Sequence, residues 1–482
     1  MLSSQASKSA TIRARLNHPV IDSDGHMIEF EPAVLEHLVS VGGRGIVERF
    51  RAWSKEGLPS WNRLSPGERR ERRAARITWW GMPAENTLDR ATASLPGLFY
   101  ERLDELGIDF AVLYPTFGLP VPHMEDEELR RAVCRAFNQY YAEVCSEYAD
   151  RLAPAAIIPM HTPQEAIEEL EYAVSGLGLK AAMFASHVRR PIAAAASDYP
   201  SASRFAFWLD TYGVDSEYDY DPVWAKCVEL KVAPGFHSTS FGWGSRTSVS
   251  NYIYNHIGTF STAGEAVCKS LFLGGVTRRF PNLKFAFLEG GVAWACNLYA
   301  DLISHWEKRN IKSLQSYNPA LLDRGLLVDL YRKYGGKMVE GRLDQVTESF
   351  AALAATCEDP SLLDEWEACG IERAEDIRDA FISNFYFGCE ADDRMNALAF
   401  NSNLNPLGAQ LKILLGSDIG HWDVRNASDV LKEAYELVED GLLDENHLRD
   451  FVFINPVSFY AGMNPEFFRG TVIEKEVESL RR

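Results

Sequence analysis

The chain alternates short apolar runs with longer stretches of helical periodicity. Val20-Ile21, Asp109 to Pro115, Leu152 to Pro159, Gly178 to Phe184, Val232 to His237, Leu283 to Leu288, Phe385 to Gly388 and Leu411 to Leu415 read as buried strands. Helical patterns fall between them, at about 127 to 149, from Thr162 onward, and around 222 to 230. At the second of these, Thr162 suits the cap, Pro163 the first helical position, and the Thr-x-x-Glu spacing to Glu165 a capping box. Repeated strand-helix units predict a parallel sheet, and eight of them favour closure into an α/β barrel, (β/α)8, over an open sheet.

The polar residues that end these strands carry the chemistry. Val20-Ile21 runs into Asp22-Ser23-Asp24-Gly25-His26, which puts Asp24 and His26 on one face of an extended chain. Other runs end at His237 and Glu289, and the last continues into Gly416-Ser417-Asp418-Ile419-Gly420-His421. Acids and imidazoles at the carboxyl ends of several strands are what a barrel needs to assemble one site from distant segments. The pattern predicts a metalloenzyme.

Three segments exceed a minimal barrel: 40–100, rich in Trp, Arg and Pro; 239–262, rich in Ser, Gly and aromatics; and the mostly helical 305–380. The expected organisation is one barrel domain over residues 1–482, with these as helical and loop insertions at its mouth. They shape a substrate pocket or a subunit contact. Trp53, Trp61, Trp79 and Trp80 belong to the first, and the Phe241-Gly242-Trp243 loop to the second, as a stacking surface or a packed lid.

Composition narrows the function classes. A net charge of -19 argues against nucleic acid as a partner, since phosphate binding needs a basic surface. No run of about eighteen apolar residues suggests a membrane span. The first ten residues lack the apolar core of a signal peptide, so a cytoplasmic location is expected. Eight scattered cysteines without CxxC spacing suit reduced, buried thiols. Neither a dinucleotide fingerprint nor a Gly-x-Ser-x-Gly elbow is present. His123, His161 and His187 follow strands but read as loop or cap residues; His18, His37, His305 and His447 read as helix or surface residues. Asp392-Asp393 reads as solvated.

Four pieces carry a family resemblance: VIDSDGH at 20–26, GFHS at 235–238, RRFPNLKFAFLEGGVAW at 278–294 and LLGSDIGH at 414–421. In this order they resemble the amidohydrolase-related branch of the amidohydrolase superfamily, which includes aminocarboxymuconate-semialdehyde decarboxylase and aromatic-acid decarboxylases. The resemblance implies a distorted (β/α)8 TIM barrel with a divalent metal at its mouth. It makes Asp24 and His26 first-strand ligands in place of the more usual His-x-His pair, His237 the fifth-strand ligand and Asp418 the eighth-strand carboxylate. Glu289 stands where many relatives have a histidine, and a carboxylate differs from an imidazole in charge and proton chemistry.

His256 and His421 extend this set. With Glu289 as a bridge, Asp24, His26, His237, His256, Glu289, Asp418 and His421 could hold two metals, and such a mixed set suits zinc, manganese or iron. One or two ions per chain are therefore expected. The first reading is a metal-dependent hydrolase or decarboxylase acting on a small organic acid or amide. Asp418 orients and deprotonates water, and Glu289 or His421 protonates the leaving group. The second is a dinuclear non-haem iron or manganese oxygenase, since the resemblance extends to relatives that activate oxygen with two metals. The third is an inactive barrel serving as partner subunit. A homo-oligomer is expected, or a heteromer with a related subunit.

Overall fold

The computed structural model describes residues 6–481 apart from 57, 78–80, 83, 202–204, 241–246, 319–320 and 350–363. Trp79, Trp80, Phe241-Gly242-Trp243 and Cys357 lie outside the described residues.

All eight expected strands form. They are β1 (Ile21–Met27), β2 (Phe110–Pro115), β3 (Leu152–Ile158), β4 (Ala181–Phe184), β5 (Pro234–Phe236), β6 (Phe285–Phe287), β7 (Phe385–Glu390) and β8 (Lys412–Gly416). They lie side by side in chain order, each parallel to the next. The two ends of the sheet meet where the Asp418 amide donates to the Asp24 carbonyl at 3.2 Å. The Asp22 carboxylate also accepts the Ser417 amide there at 3.0 Å. The result is a nearly closed (β/α)8 barrel.

Local sequence sets the helices between strands. Thr162 makes the predicted capping box, accepting from the Glu165 amide at 3.3 Å while Glu165 accepts from the Thr162 amide at 2.9 Å. The helix Glu127–Val144 is capped by Asp126, which accepts from the Leu129 amide at 3.2 Å. An antiparallel hairpin, Val188–Pro191 with Phe207–Asp210, was not foreseen. Val188-Arg189-Arg190-Pro191 alternates buried and exposed over only four residues, too short a run to register as a strand.

Aromatic side chains fill the layer between β5–β7 and the helices outside them. Phe236 stacks on Phe287 at 5.7 Å and Phe287 on Phe387 at 5.9 Å. Trp294, from the helix Ala293–Arg309, meets Phe287 edge-on at 6.0 Å. Burial of such rings contributes roughly 25 cal/mol per Å² of apolar surface. Seven cysteines in the described residues are buried and free, as reduced thiols should be. His18 is buried against Phe453 rather than exposed, its ring centroid 6.1 Å away.

The first two insertions follow β1 and β5 and meet over the mouth. The Trp61 indole donates to the Val249 carbonyl at 3.2 Å, the Arg76 amide to Ser248 at 2.9 Å, and Asn255 to the Arg76 carbonyl at 2.6 Å. Gly81 pairs with His421 in an isolated antiparallel bridge, so the first insertion reaches the end of β8. In the third, Cys369 packs on the carbonyls of Phe272 and Leu273. No helix of the described residues is long and apolar enough to cross a membrane.

Candidate metal centre

The register of β1 aims its two candidate ligands. Asp22 pairs with Ala111 and Gly25 with Leu113, so β1 carries one extra residue here, a bulge. A Cβ at Gly25 would stand 2.7 Å from the Asp22 carboxylate and 3.2 Å from the Val112 carbonyl. Glycine is needed there because two chain segments approach closely. Asp24 and His26 then enter the barrel, 1 % and 0 % exposed.

Glu289 and Asp418 arrive by a different device. Phe285 and Phe287 face the outer helices, and strict alternation would send residue 289 the same way. Instead Glu289 adopts φ 54, and its carboxylate comes to 3.3 Å from His237 Nε2. Asp418 has φ 46. Left-handed backbone at a non-glycine residue costs on the order of 1–3 kcal/mol and concentrates at functional sites.

The donors converge. His26 Nε2 lies 3.2 Å from His237 Nε2, 3.6 Å from Asp24 Oδ1 and 3.5 Å from Asp418 Oδ1. His237 Nε2 lies 3.7 Å from Asp24 Oδ1. His421 Nδ1 stands 3.9 Å from both Glu289 Oε1 and Asp418 Oδ1. Two overlapping groups result, Asp24-His26-His237 and His26-Glu289-Asp418-His421. Six of the seven residues singled out from sequence thus share one buried volume. His256 stands apart, its ring stacked on Tyr252 at 5.5 Å and its Nε2 accepting from the Trp422 indole at 3.5 Å. It lines a pocket that Glu289 also lines.

Electrostatics of the set are unfavourable without a cation. Burial raises Asp24, Glu289 and Asp418 well above the carboxylate range, and repulsion from neighbouring carboxylates adds to it. Burial also holds the imidazoles neutral, with His237 and His421 each lowered to about 3. His26 Nδ1 faces the Pro115 carbonyl at 3.2 Å, which fixes the proton there and leaves Nε2 as a lone pair. Asp24 Oδ1 and Oδ2, Glu289 Oε2, Asp418 Oδ1 and His421 Nε2 are buried without a hydrogen-bond partner. The ion pairs these carboxylates make in the described residues are with histidines alone. Buried carboxylates of this kind are normally paired or coordinate a metal. A first-row divalent ion with bonds of roughly 2.1 Å needs donors roughly 3.0–3.4 Å apart, and the separations here, 3.2 to 3.9 Å, come within about 0.5 Å of that.

Three supporting residues escaped sequence reading. Asp22 ties the barrel ends. Glu29 accepts the amides of Thr116, Phe117 and Gly118 at 3.1, 2.7 and 3.2 Å, together with the Tyr141 hydroxyl. Glu390 ends β7 beside the pocket and is pushed up to about 7 by burial, then by Asp423, Asp392 and Asp393. Asp392 is exposed, but Asp393 is half-buried and caps the turn that follows β7, accepting from the Met395 amide at 2.9 Å. Position at a strand end was the signal for Glu390 and Asp22; nothing in the sequence marks Glu29.

Known proteins resemble the chain at several levels. A family model described as amidohydrolase matches residues 100–335. A curated relative, decarboxylase orsB of Emericella nidulans, is 29% identical over 165 residues, 31% of this chain and 42% of the relative. The chain therefore matches less than half the length of that relative. An amidohydrolase from Mycobacterium avium subsp. paratuberculosis has the same fold at 19% identity and TM-score 0.51, over 92% of this chain and 100% of its own. A 5-carboxyvanillate decarboxylase from Novosphingobium aromaticivorans, complexed with manganese and 4-hydroxy-3-methoxy-5-nitrobenzoic acid, shares the fold at 14% identity and TM-score 0.50, over 92% and 96%. The sequence match over residues 100–335 is to an amidohydrolase model, and the barrel is the fold of these solved structures.

Proposed function

We propose that this protein is a metal-dependent enzyme that decarboxylates, or less favourably hydrolyses, a small organic acid. The observation that carries the reading is the convergence of three buried carboxylates, with oxygens that lack hydrogen-bond partners, on three neutral imidazoles. The decarboxylase relative supports the reaction type.

Asp24, His26, His237 and Asp418 would hold the metal, with manganese, zinc or iron suited to the donors. When bound, such an ion supplies Lewis acidity toward the substrate's oxygens. His26 is pre-set as a donor by the Pro115 carbonyl, so no rearrangement is needed for it to engage. Glu289 lines the pocket, and burial favours its protonated form. It is therefore the proton donor: as the bond to the departing carboxylate breaks and its electron pair stays on carbon, Glu289 delivers a proton to that carbon. Asp418 and His421 then return a proton from water to Glu289, with His421 Nδ1 3.9 Å from its carboxylate.

A second reading rests on the second donor group. His26, Glu289, Asp418 and His421 could hold another ion, and a two-metal centre would suit an oxygenase. Elemental analysis for manganese, iron and zinc, followed by assays of carbon dioxide release from hydroxybenzoates with and without oxygen, decides between them. One ion per chain and oxygen-independent release support the decarboxylase. Two ions with oxygen-dependent turnover support the oxygenase, and failure to bind metal after reconstitution overturns both.

A further inference from the structure

The end of the barrel opposite the candidate centre gathers positive charge without an acid to balance it. Phe285 and Phe287 face the outer helices, so by alternation Ala286 and, two residues earlier, Lys284 turn to the interior. Ala286 pairs with Tyr386, and Tyr386 with Lys412, so these three share a row at the start of β6, β7 and β8. Lys284 and Lys412 thus both belong to the barrel floor, and both are half-buried.

The helix Asn455–Met463 lies against this floor, with Phe459 meeting Tyr386 at 5.1 Å. Its Ser458 and Gly462 stand four residues apart and so share one face. The Ser458 hydroxyl is 2.7 Å from the Tyr386 hydroxyl, and a Cβ at Gly462 would stand 3.8 Å from Lys284 Cε. Gly462 is exposed, so the space beside Lys284 opens to solvent.

The donors here outnumber the acceptors. Lys412 Nζ donates to the Tyr386 hydroxyl at 3.3 Å, and Lys284 Nζ to the Ser383 carbonyl at 2.6 Å. Each ammonium has three protons to give. The bond between Tyr386 and Ser458 uses only one of their two hydroxyl protons. Among the described residues, the lysines that form ion pairs are Lys226, Lys269 and Lys432. Burial lowers Lys284, and it lowers Lys412 to about 8 with the Lys284 charge as the second cause. In a chain of net charge -19, two neighbouring ammonium groups have been left without a carboxylate.

We propose that this floor binds a small divalent oxyanion of the phosphate type, held by Lys284, Lys412 and the Ser458 hydroxyl. A dianion cancels both charges, and charge-assisted hydrogen bonds replace the water that each ammonium has lost. The site lies at the far end of the barrel from the candidate metal centre, so it is separate from the substrate's.

The test is calorimetric titration of the full-length protein with inorganic phosphate at about pH 7, in chloride buffer of matched ionic strength. Saturable binding is expected with a dissociation constant on the order of millimolar or tighter. Lys284→Met and Lys412→Met keep the apolar stem and should each weaken it about tenfold or more, and Ser458→Ala severalfold. Lys412→Arg should retain it. All four should keep the parent's manganese content, which separates this site from any phosphate held by the metal. If Lys412→Met does not fold, Lys284→Met and Ser458→Ala decide the matter. The absence of saturable binding, or binding of equal strength in wild type and the folded floor variants, overturns the proposal.

Discussion

Asp22 and Ser417 face each other across the seam between the first and last strands, the carboxylate accepting the Ser417 amide at 3.0 Å and its hydroxyl at 2.5 Å. Asp22 is fully buried, and burial raises it from 3.8 to about 6 despite these bonds. Because the folded value exceeds the unfolded one, the native state binds more protons between those values, and this group's contribution to stability falls as pH rises from about 4 to 6. Asp22→Asn removes that contribution. Its stability relative to wild type should improve by about 1–3 kcal/mol across this window and stay level above it. Denaturation curves of both metal-free proteins at matched pH check the sign, and a constant difference would refute it.

Asp22→Ala, by contrast, leaves the Ser417 amide buried without its acceptor. A loss of about 1–3 kcal/mol is expected at about pH 4, shrinking as pH rises to about 6 for the same reason as in Asp22→Asn, with reduced metal retention because Asp24 and Asp418 flank the broken seam. Thermal melts with and without manganese measure both effects.

The candidate ligands should trade stability for function. Asp418→Asn preserves a backbone conformation that asparagine tolerates while removing one of the crowded carboxylates. Metal affinity and turnover should fall by 10²-fold or more, on the order seen when a catalytic electrostatic group is removed. The melting temperature of the metal-free protein should rise. A variant that melts lower than wild type while keeping its metal would contradict the proposed role.

Metal binding should release protons. Burial favours the protonated forms of Asp24, Glu289 and Asp418, whereas it favours the neutral forms of the histidines. At about pH 7.5, manganese should therefore displace at least about one carboxyl proton per ion, and apparent affinity should rise with pH. Titration calorimetry in buffers of different ionisation enthalpy counts the protons. Zero release would mean that these carboxylates are ionised before metal arrives.

Glu29 offers a structural control. Glu29→Ala leaves three loop amides after β2 without their common acceptor, which should cost about 3 kcal/mol or more. Glu29→Gln should cost less, since one oxygen remains. Chemical denaturation distinguishes the two.

Periodicity and turn residues located all eight barrel strands, because each is a short apolar run bounded by breaks. The polar residues at their ends then named Asp24, His26, His237, Glu289, Asp418 and His421. The supporting acids were illegible for physical reasons. Glu29 and Asp22 act on partners 87 and 395 residues away, a pairing that no local pattern encodes. His256 sits in a short helix whose packing against Tyr252 and Trp422 is likewise decided by tertiary contacts.

The insertions that meet above the mouth do so through the Trp61–Val249 and Arg76–Ser248 contacts, while every converging side chain belongs to a strand end or the turn just beyond it. The roof and the converging centre are thereby written on separate stretches of polypeptide. Loops can be rewritten without disturbing the centre beneath them. Under the proposed function, the same barrel would be retuned to a different substrate by drift in its roof, with its chemistry inherited intact.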